Sequence, residues 1–119
     1  MVELVTDRLV ITTPDERHID DVFRIMSTRC LAERTGFKKM DDVSEAEGNV
    51  RWAMRTDNML VISKKDGDDV IGIIILTPEE INLPQGTLMD YEICYFIETS
   101  FQGNGYMTEA LACIKEYLF

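Results

Sequence analysis

Three β-rich runs in succession between Met59 and Ile97 constrain the fold more than any other feature of the chain. Met59-Leu60-Val61-Ile62-Ser63 and Val70-Ile71-Gly72-Ile73-Ile74-Ile75-Leu76 flank Lys64-Lys65-Asp66-Gly67-Asp68-Asp69. Two such runs around an Asp-Gly turn make a hairpin. After Pro78 to Gly86, the stretch Leu88 to Ile97 supplies a further strand. It sends Met89, Tyr91, Ile93, Tyr95 and Ile97 one way, and Asp90, Glu92, Cys94, Phe96 and Glu98 the other.

Upstream, Arg8 to Thr12 is apolar and β-branched and ends at Thr13-Pro14, which reads as a first strand. Pro14, Asp15 and Glu16 then open a helix, proline and acids being favoured in a first turn. Ile19, Val22, Phe23 and Met26 form one face of it, to about Thr28. Cys30 to Met40, with Gly36, reads as a loop or a short helix. Asp42-Val43-Ser44-Glu45 starts another helix, with Val43, Ala46, Val50 and Ala53 on a stripe and an end near Thr56-Asp57-Asn58; Gly48 inside it works against helix. Gly105 to Phe119 is the last helix, burying Tyr106, Met107, Ala110, Leu111, Ile114, Tyr117 and Leu118. The order of strand, helix, helix, three strands and helix implies an α+β domain, mostly antiparallel, with helices covering the sheet. No repeat, low-complexity tract or linker divides it, so residues 1–119 read as a single domain.

Composition removes several function classes. A formal net charge of −10 argues against a nucleic-acid partner, whose phosphates call for Lys and Arg. It suits attraction of a cationic substrate such as an amine or a basic peptide end, and equally a solvated acidic surface. No apolar run approaches the roughly 18 residues of a membrane span. The N-terminus has no basic segment leading into a long apolar stretch, so a cytoplasmic protein is expected. Cys30, Cys94 and Cys113 are odd in number and far apart, with His18 the one histidine, so no metal site is expected and the cysteines read as structural thiols.

The stretch that carries chemistry runs Ile97-Glu98-Thr99-Ser100-Phe101-Gln102-Gly103-Asn104-Gly105-Tyr106-Met107-Thr108-Glu109-Ala110. A strand ends, a glycine turn follows, and a helix begins. The first helical N–H groups there lack carbonyl partners and the helix dipole is positive, so an anion is stabilised. Glycines let backbone approach phosphate oxygens without an intervening Cβ. A P-loop would need a lysine after Gly105, and the dinucleotide fingerprint would need glycine where Thr108 stands.

Gln102-Gly103-Asn104-Gly105-Tyr106-Met107 resembles the Gln/Arg-x-x-Gly-x-Gly/Ala signature that follows the fourth strand in the GNAT superfamily of N-acetyltransferases, with Met107 at the final small position. Gly-Tyr-Met-Thr-Glu-Ala at that place looks like the RimJ/RimL-type branch. Leu4-Val5-Thr6-Asp7-Arg8-Leu9-Val10-Ile11 is similar to that branch's Thr-x-Arg-Leu start. Tyr91-Glu92-Ile93-Cys94-Tyr95-Phe96-Ile97 resembles its Glu-Ile-Gly-Tyr strand, with Cys94 in place of the glycine.

The resemblance implies a GNAT-like fold and transfer of an acetyl group from the cosubstrate acetyl-CoA to an amine, either a small molecule or a protein N-terminus. It implies that backbone groups of Phe96 and Ile97 pair with the pantetheine arm. The N–H groups of Gly103, Asn104, Gly105, Tyr106 and Met107 would hold the pyrophosphate, flanked by the side chains of Gln102 and Thr108. Glu92 would be the base that accepts the ammonium proton, and poor solvation beside Phe96 and Cys94 would suit it to that work. Trp52 would border the acceptor pocket or merely pack, and Tyr91, Tyr95 and Tyr106 read first as core aromatics. Glu109 reads as an acid favoured by the helix dipole. Family members continue past this helix with further strands, so the resemblance also implies a C-terminally truncated fold. Its last strand would expose an edge that a homodimer could complete. A non-catalytic acyl-CoA-binding or dimerisation module, and a structural domain whose turn binds nothing, are the competing readings.

Overall fold

A computed structural model of the chain describes residues 1–27, 39–67 and 69–119. Its centre is a five-stranded antiparallel sheet with the strands side by side in chain order. They are β1 (Glu3–Val5), β2 (Leu9–Thr12), β3 (Met59–Lys64), β4 (Val70–Leu83) and β5 (Gly86–Ile97). Helices α1 (Ile19–Met26) and α2 (Val43–Thr56) lie in sequence between β2 and β3, and α3 (Tyr106–Leu118) follows β5. Among the described residues no helix is long and apolar enough to cross a membrane.

The sheet is apolar on both faces, which explains why β3 reads Met-Leu-Val-Ile rather than alternating with polar residues. Met59 and Val61 pack with Val22, Ile25 and Met26 of α1 and with Ala46, Val50 and Ala53 of α2. Leu60 and Ile62 face the other way, with Ile71, Ile74, Leu76 and Ile97, and with Ala110 and Ile114 of α3. The turn that leads into α1 and the start of α2 are capped as their sequences suggest. The Asp15 carboxylate accepts the Arg17 N–H at 2.9 Å, and the Asp15 N–H donates to His18 Nδ1 at 3.0 Å. Asp42 accepts the Ser44 N–H at 3.0 Å, and Asp57, left-handed with φ 57°, closes α2.

The structure corrects the sequence reading in several places. The short β1 was not anticipated. Pro14–Glu16 leads first into a 3-10 turn, Glu16–His18, and α1 ends at Met26; Thr28 and the Cys30–Met40 segment up to residue 38 lie outside the described residues. Val43 and Tyr117 are exposed rather than buried. Most consequentially, Pro78 to Gly86 is not a connection: β4 runs on to Leu83 and turns back within two residues. Pro78 is tolerated because β3 stops pairing at Ile75, so on that side no strand is left to miss its N–H.

Candidate active site

The site is built where β5 gives way to α3. Glu98 N–H donates to the Ile71 carbonyl at 2.8 Å, so Glu98 and Ile71 form a hydrogen-bonded pair in the ladder. Alternation along an antiparallel strand then assigns the next positions. Phe96 directs its backbone at β4, while Ile97 and Tyr95 direct theirs at the open edge of β5. The expectation for Phe96 and Ile97 is thereby divided. Only Ile97 offers edge-facing backbone, and its carbonyl already accepts Gln102 Nε2 at 3.1 Å. From the other side, Arg24 of α1 pairs with the Glu98 carboxylate and donates to the Val70 carbonyl at 2.9 Å, which fixes the end of β5.

Beyond a 3-10 turn at Thr99–Phe101 come Gly103 and Gly105, with φ 82° and 76°. Both lie in the left-handed region that only glycine enters freely. Gly105 is the N-cap of α3 and supplies no side-chain cap. Among the described residues, none of the N–H groups from Gly103 to Thr108 finds a protein acceptor. Of the residues that carry them, Gly103, Gly105, Tyr106, Met107 and Thr108 line an open cleft of about 680 Å³, with Cys94, Phe96, Ile97 and Gln102 also on its wall. Of the nine residues expected at the cofactor, only Asn104 is off this wall. Its side-chain amide folds back to the Phe101 carbonyl at 3.2 Å.

Glu92 is placed differently from expectation. It shares a sheet face with Cys94 and Phe96, but it is exposed, opposite Thr77. The poorly solvated setting anticipated for it is absent. Cys94 is half-buried, and burial, then the Glu92 charge, push its thiol up. Trp52 packs against the core under α1 and α2, on a second cleft of about 610 Å³ with Met26, Met40 and Met59. Ile75 belongs to that second cleft and stands directly opposite Cys94 of the first.

This strand, glycine turn and helix lie within residues 8–119, which match the family described as acetyltransferase (GNAT) domain. The chain belongs to the GNAT acetyltransferase family. No curated protein sequence matches it. Solved structures share the fold of this GNAT domain at low identity. An acetyltransferase of the GNAT family from Bacillus anthracis has a TM-score of 0.77 at 14% identity, over 98% of this chain and 65% of that one. RimL, a ribosomal L7/L12 alpha-N-protein acetyltransferase, gives 0.73 at 19% identity, over 96% and 62%. A ribosomal-protein-S5-alanine acetyltransferase from Vibrio fischeri gives 0.72 at 14% identity, over 100% and 68%. The GNAT domain thus spans about two thirds of the length of these proteins.

One cluster of the GNAT domain escaped the sequence reading. Glu109 does not merely sit in the field of the α3 dipole. Its carboxylate accepts from Thr6 Oγ1, from the Arg8 N–H at 3.0 Å and from Arg8 Nε at 2.8 Å. Thr6 and Arg8 had stood out only as part of a Thr-x-Arg-Leu resemblance, and contacts about a hundred positions apart leave no local pattern. The hydrogen bonds from Thr6 and Arg8 lower the Glu109 carboxyl from 4.5 to about 2. A depressed carboxyl contributes stability that is present above its ordinary value and lost as pH falls through the folded one. In urea titrations, wild type should therefore lose stability relative to Glu109→Gln on acidification from about pH 5, the difference levelling off only below pH 2. A pH-independent difference between the two proteins would contradict this.

Proposed function

We propose that the chain binds acetyl-CoA and serves acetyl transfer to an amine. Residues 1–119 would form one domain, the N-terminal and cofactor-binding portion of the longer fold. The observation that carries this reading is the row of unengaged N–H groups from Gly103 to Thr108, on residues that, Asn104 excepted, line an open cleft. A diphosphate is the anion whose length suits several consecutive amides, and the α3 dipole adds to its binding. Gly103, Gly105, Tyr106 and Met107 would donate to it from the cleft wall, and Thr108 would flank it. Asn104 would offer its N–H alone. Gln102 would act through Ile97, whose carbonyl it holds, leaving the Ile97 N–H and the Tyr95 backbone to align an amide-bearing arm along β5. When bound, acetyl-CoA supplies the activated acyl group.

Glu92 is the proposed base. An exposed carboxylate on the Cys94 side of β5 can take a proton from an incoming ammonium and pass it to water. The net charge of −10 favours approach of such a cation. Glu92→Gln should slow acetyl transfer by about 100-fold, at the lower end of general-base contributions, with CoA affinity unchanged. Equal rates in the two proteins would move the base elsewhere.

The Thr6-Asp7-Arg8-Leu9 and Gly105-to-Ala110 segments, together with the likeness to RimL, support the RimJ/RimL-type branch and a protein N-terminus as acceptor. A cytoplasmic setting, with the cysteines as thiols, fits that substrate. The open edge of β5 favours a second reading, a non-catalytic CoA-binding module that a homodimer completes. Calorimetric titration of the 119-residue chain with CoA tests the shared part. Acetyl transfer to a panel of amines and peptides, with sedimentation to give the oligomeric state, separates the two. No heat on titration with CoA would remove both.

A further inference from the structure

Arg8 does not line the cleft, yet it holds the turn that does. Its Nη1 donates to the Asn104 carbonyl at 2.8 Å, and its guanidinium carbon lies 4.5 Å over the ring of Tyr106. Its Nη2 is 3.4 Å from the point where a Cβ on Gly105 would sit. One planar side chain therefore touches the residues on both sides of Gly105 and occupies the space beside its Cα. Nε and the Arg8 N–H are both bound by the Glu109 carboxylate, which belongs to the first turn of the same helix. The base of this clamp is rigid: the turn from β1 to β2 is closed by Thr6 N–H to the Leu9 carbonyl at 2.9 Å and by Leu9 N–H to Thr6 Oγ1 at 3.0 Å.

We infer that Arg8 is a positioning residue for the cofactor site: clamped between Glu109 and the Asn104 carbonyl, it fixes the peptide planes around Gly105 so that the amides face the cleft. Turning the Asn104 carbonyl toward Arg8 turns the Gly105 N–H away from it, since carbonyl and following N–H are antiparallel within one peptide plane. Drawing Glu109 back to Thr6 and Arg8 also keeps that carboxylate from capping the free N–H groups of its own helix. Glu109 balances the Arg8 charge, so what Arg8 supplies is orientation, with little net field. A lysine would retain the charge but lose the fork and the planar stack.

The inference rests on the acetyl-CoA reading, and its test keeps the two apart. R8A and R8K are compared with wild type by calorimetric titration with CoA, and by hydrogen exchange of the Glu109 amide, which donates to the Gly105 carbonyl at 3.1 Å, in the free proteins. Expected for both variants is a loss of about tenfold or more in CoA affinity, the size of one well-placed charge-assisted contact. Exchange should quicken at the Glu109 amide as the Gly105 peptide plane loosens, with protection in β3 and β4 retained. Wild-type affinity in R8A overturns the inference, as does full recovery in R8K, which would mean that charge alone suffices. Unchanged exchange at the Glu109 amide overturns it too. Should wild type fail to bind CoA while exchange still quickens in both variants, the acetyl-CoA reading falls and the clamp stands. If R8A does not fold, R8K and E109Q carry the same two measurements.

Discussion

Gly105→Glu should reduce CoA affinity by about 100-fold or more while the sheet stays folded. Two effects act together. At φ 76° any L-residue is strained by about 1–2 kcal/mol, so the turn shifts away from the geometry that aims its amides. The new carboxylate would also stand at the N-terminus of α3, capping the N–H groups that the ligand needs and repelling its phosphates. With each 1.4 kcal/mol worth tenfold, about 3 kcal/mol from the two effects gives the stated loss. Gly103→Val probes the first effect by itself, because a Cβ at Gly103 meets no atom within 4 Å and only its φ of 82° is violated. Calorimetry gives the affinities, and circular dichroism confirms the fold. Wild-type affinity in Gly105→Glu would leave the proposed socket without support.

Gly72→Ala should be the most damaging single change to stability that adds only a methyl group. A Cβ at Gly72 would lie 2.7 Å from the Phe96 carbonyl oxygen and 3.4 Å from the Ile97 Cα, with Ile62 Cδ1 at 3.3 Å. Two of these three atoms are backbone, so relief requires β4 and β5 to separate. The tightness has a local origin. Ile62 pairs with Gly72 but Ser63 with Val70, so Ile71 is an extra residue that places Ile71 and Gly72 together opposite one partner. Overpacking of this kind costs about 2–3 kcal/mol, which lowers the melting midpoint of a chain this size by roughly 10 °C. Because Phe96 and Ile97 are the displaced residues, CoA affinity should fall as well. A melting curve superimposable on wild type would show that the sheet yields there at little cost.

β3 and the start of β4 were legible in the sequence because both faces are buried, and a run such as Ile73-Ile74-Ile75 has no other stable use in a short segment. Asp42 and Asp57 bracket α2 because capping is local chemistry. The outer half of β4 was hidden by Pro78 and Glu79-Glu80, residues that normally argue against a strand. They are accommodated because only β5 pairs there. The bulge at Ile71 and Gly72 was hidden too, since register is a property of two strands. At the site, the turn from Gln102 to Thr108 was legible because glycine spacing encodes backbone conformation directly. The division of labour between Phe96 and Ile97 depends on ladder phase, and the roles of Arg8 and Glu109 depend on a fold that joins the two ends of the chain.

The unequal lengths of the strands give β5 two mechanical regimes. Toward Gly86 it is held to β4 by a single ladder with no third strand behind, so spontaneous opening should begin at that hairpin tip. Toward Ile97 it is backed by β4, β3 and β2 in turn, and is pinned by Arg24 from α1. Fraying that starts at the tip has a dozen residues of progressively stiffer sheet to cross. The glycine turn thus hangs from the quiet end of a strand whose other end is free to breathe.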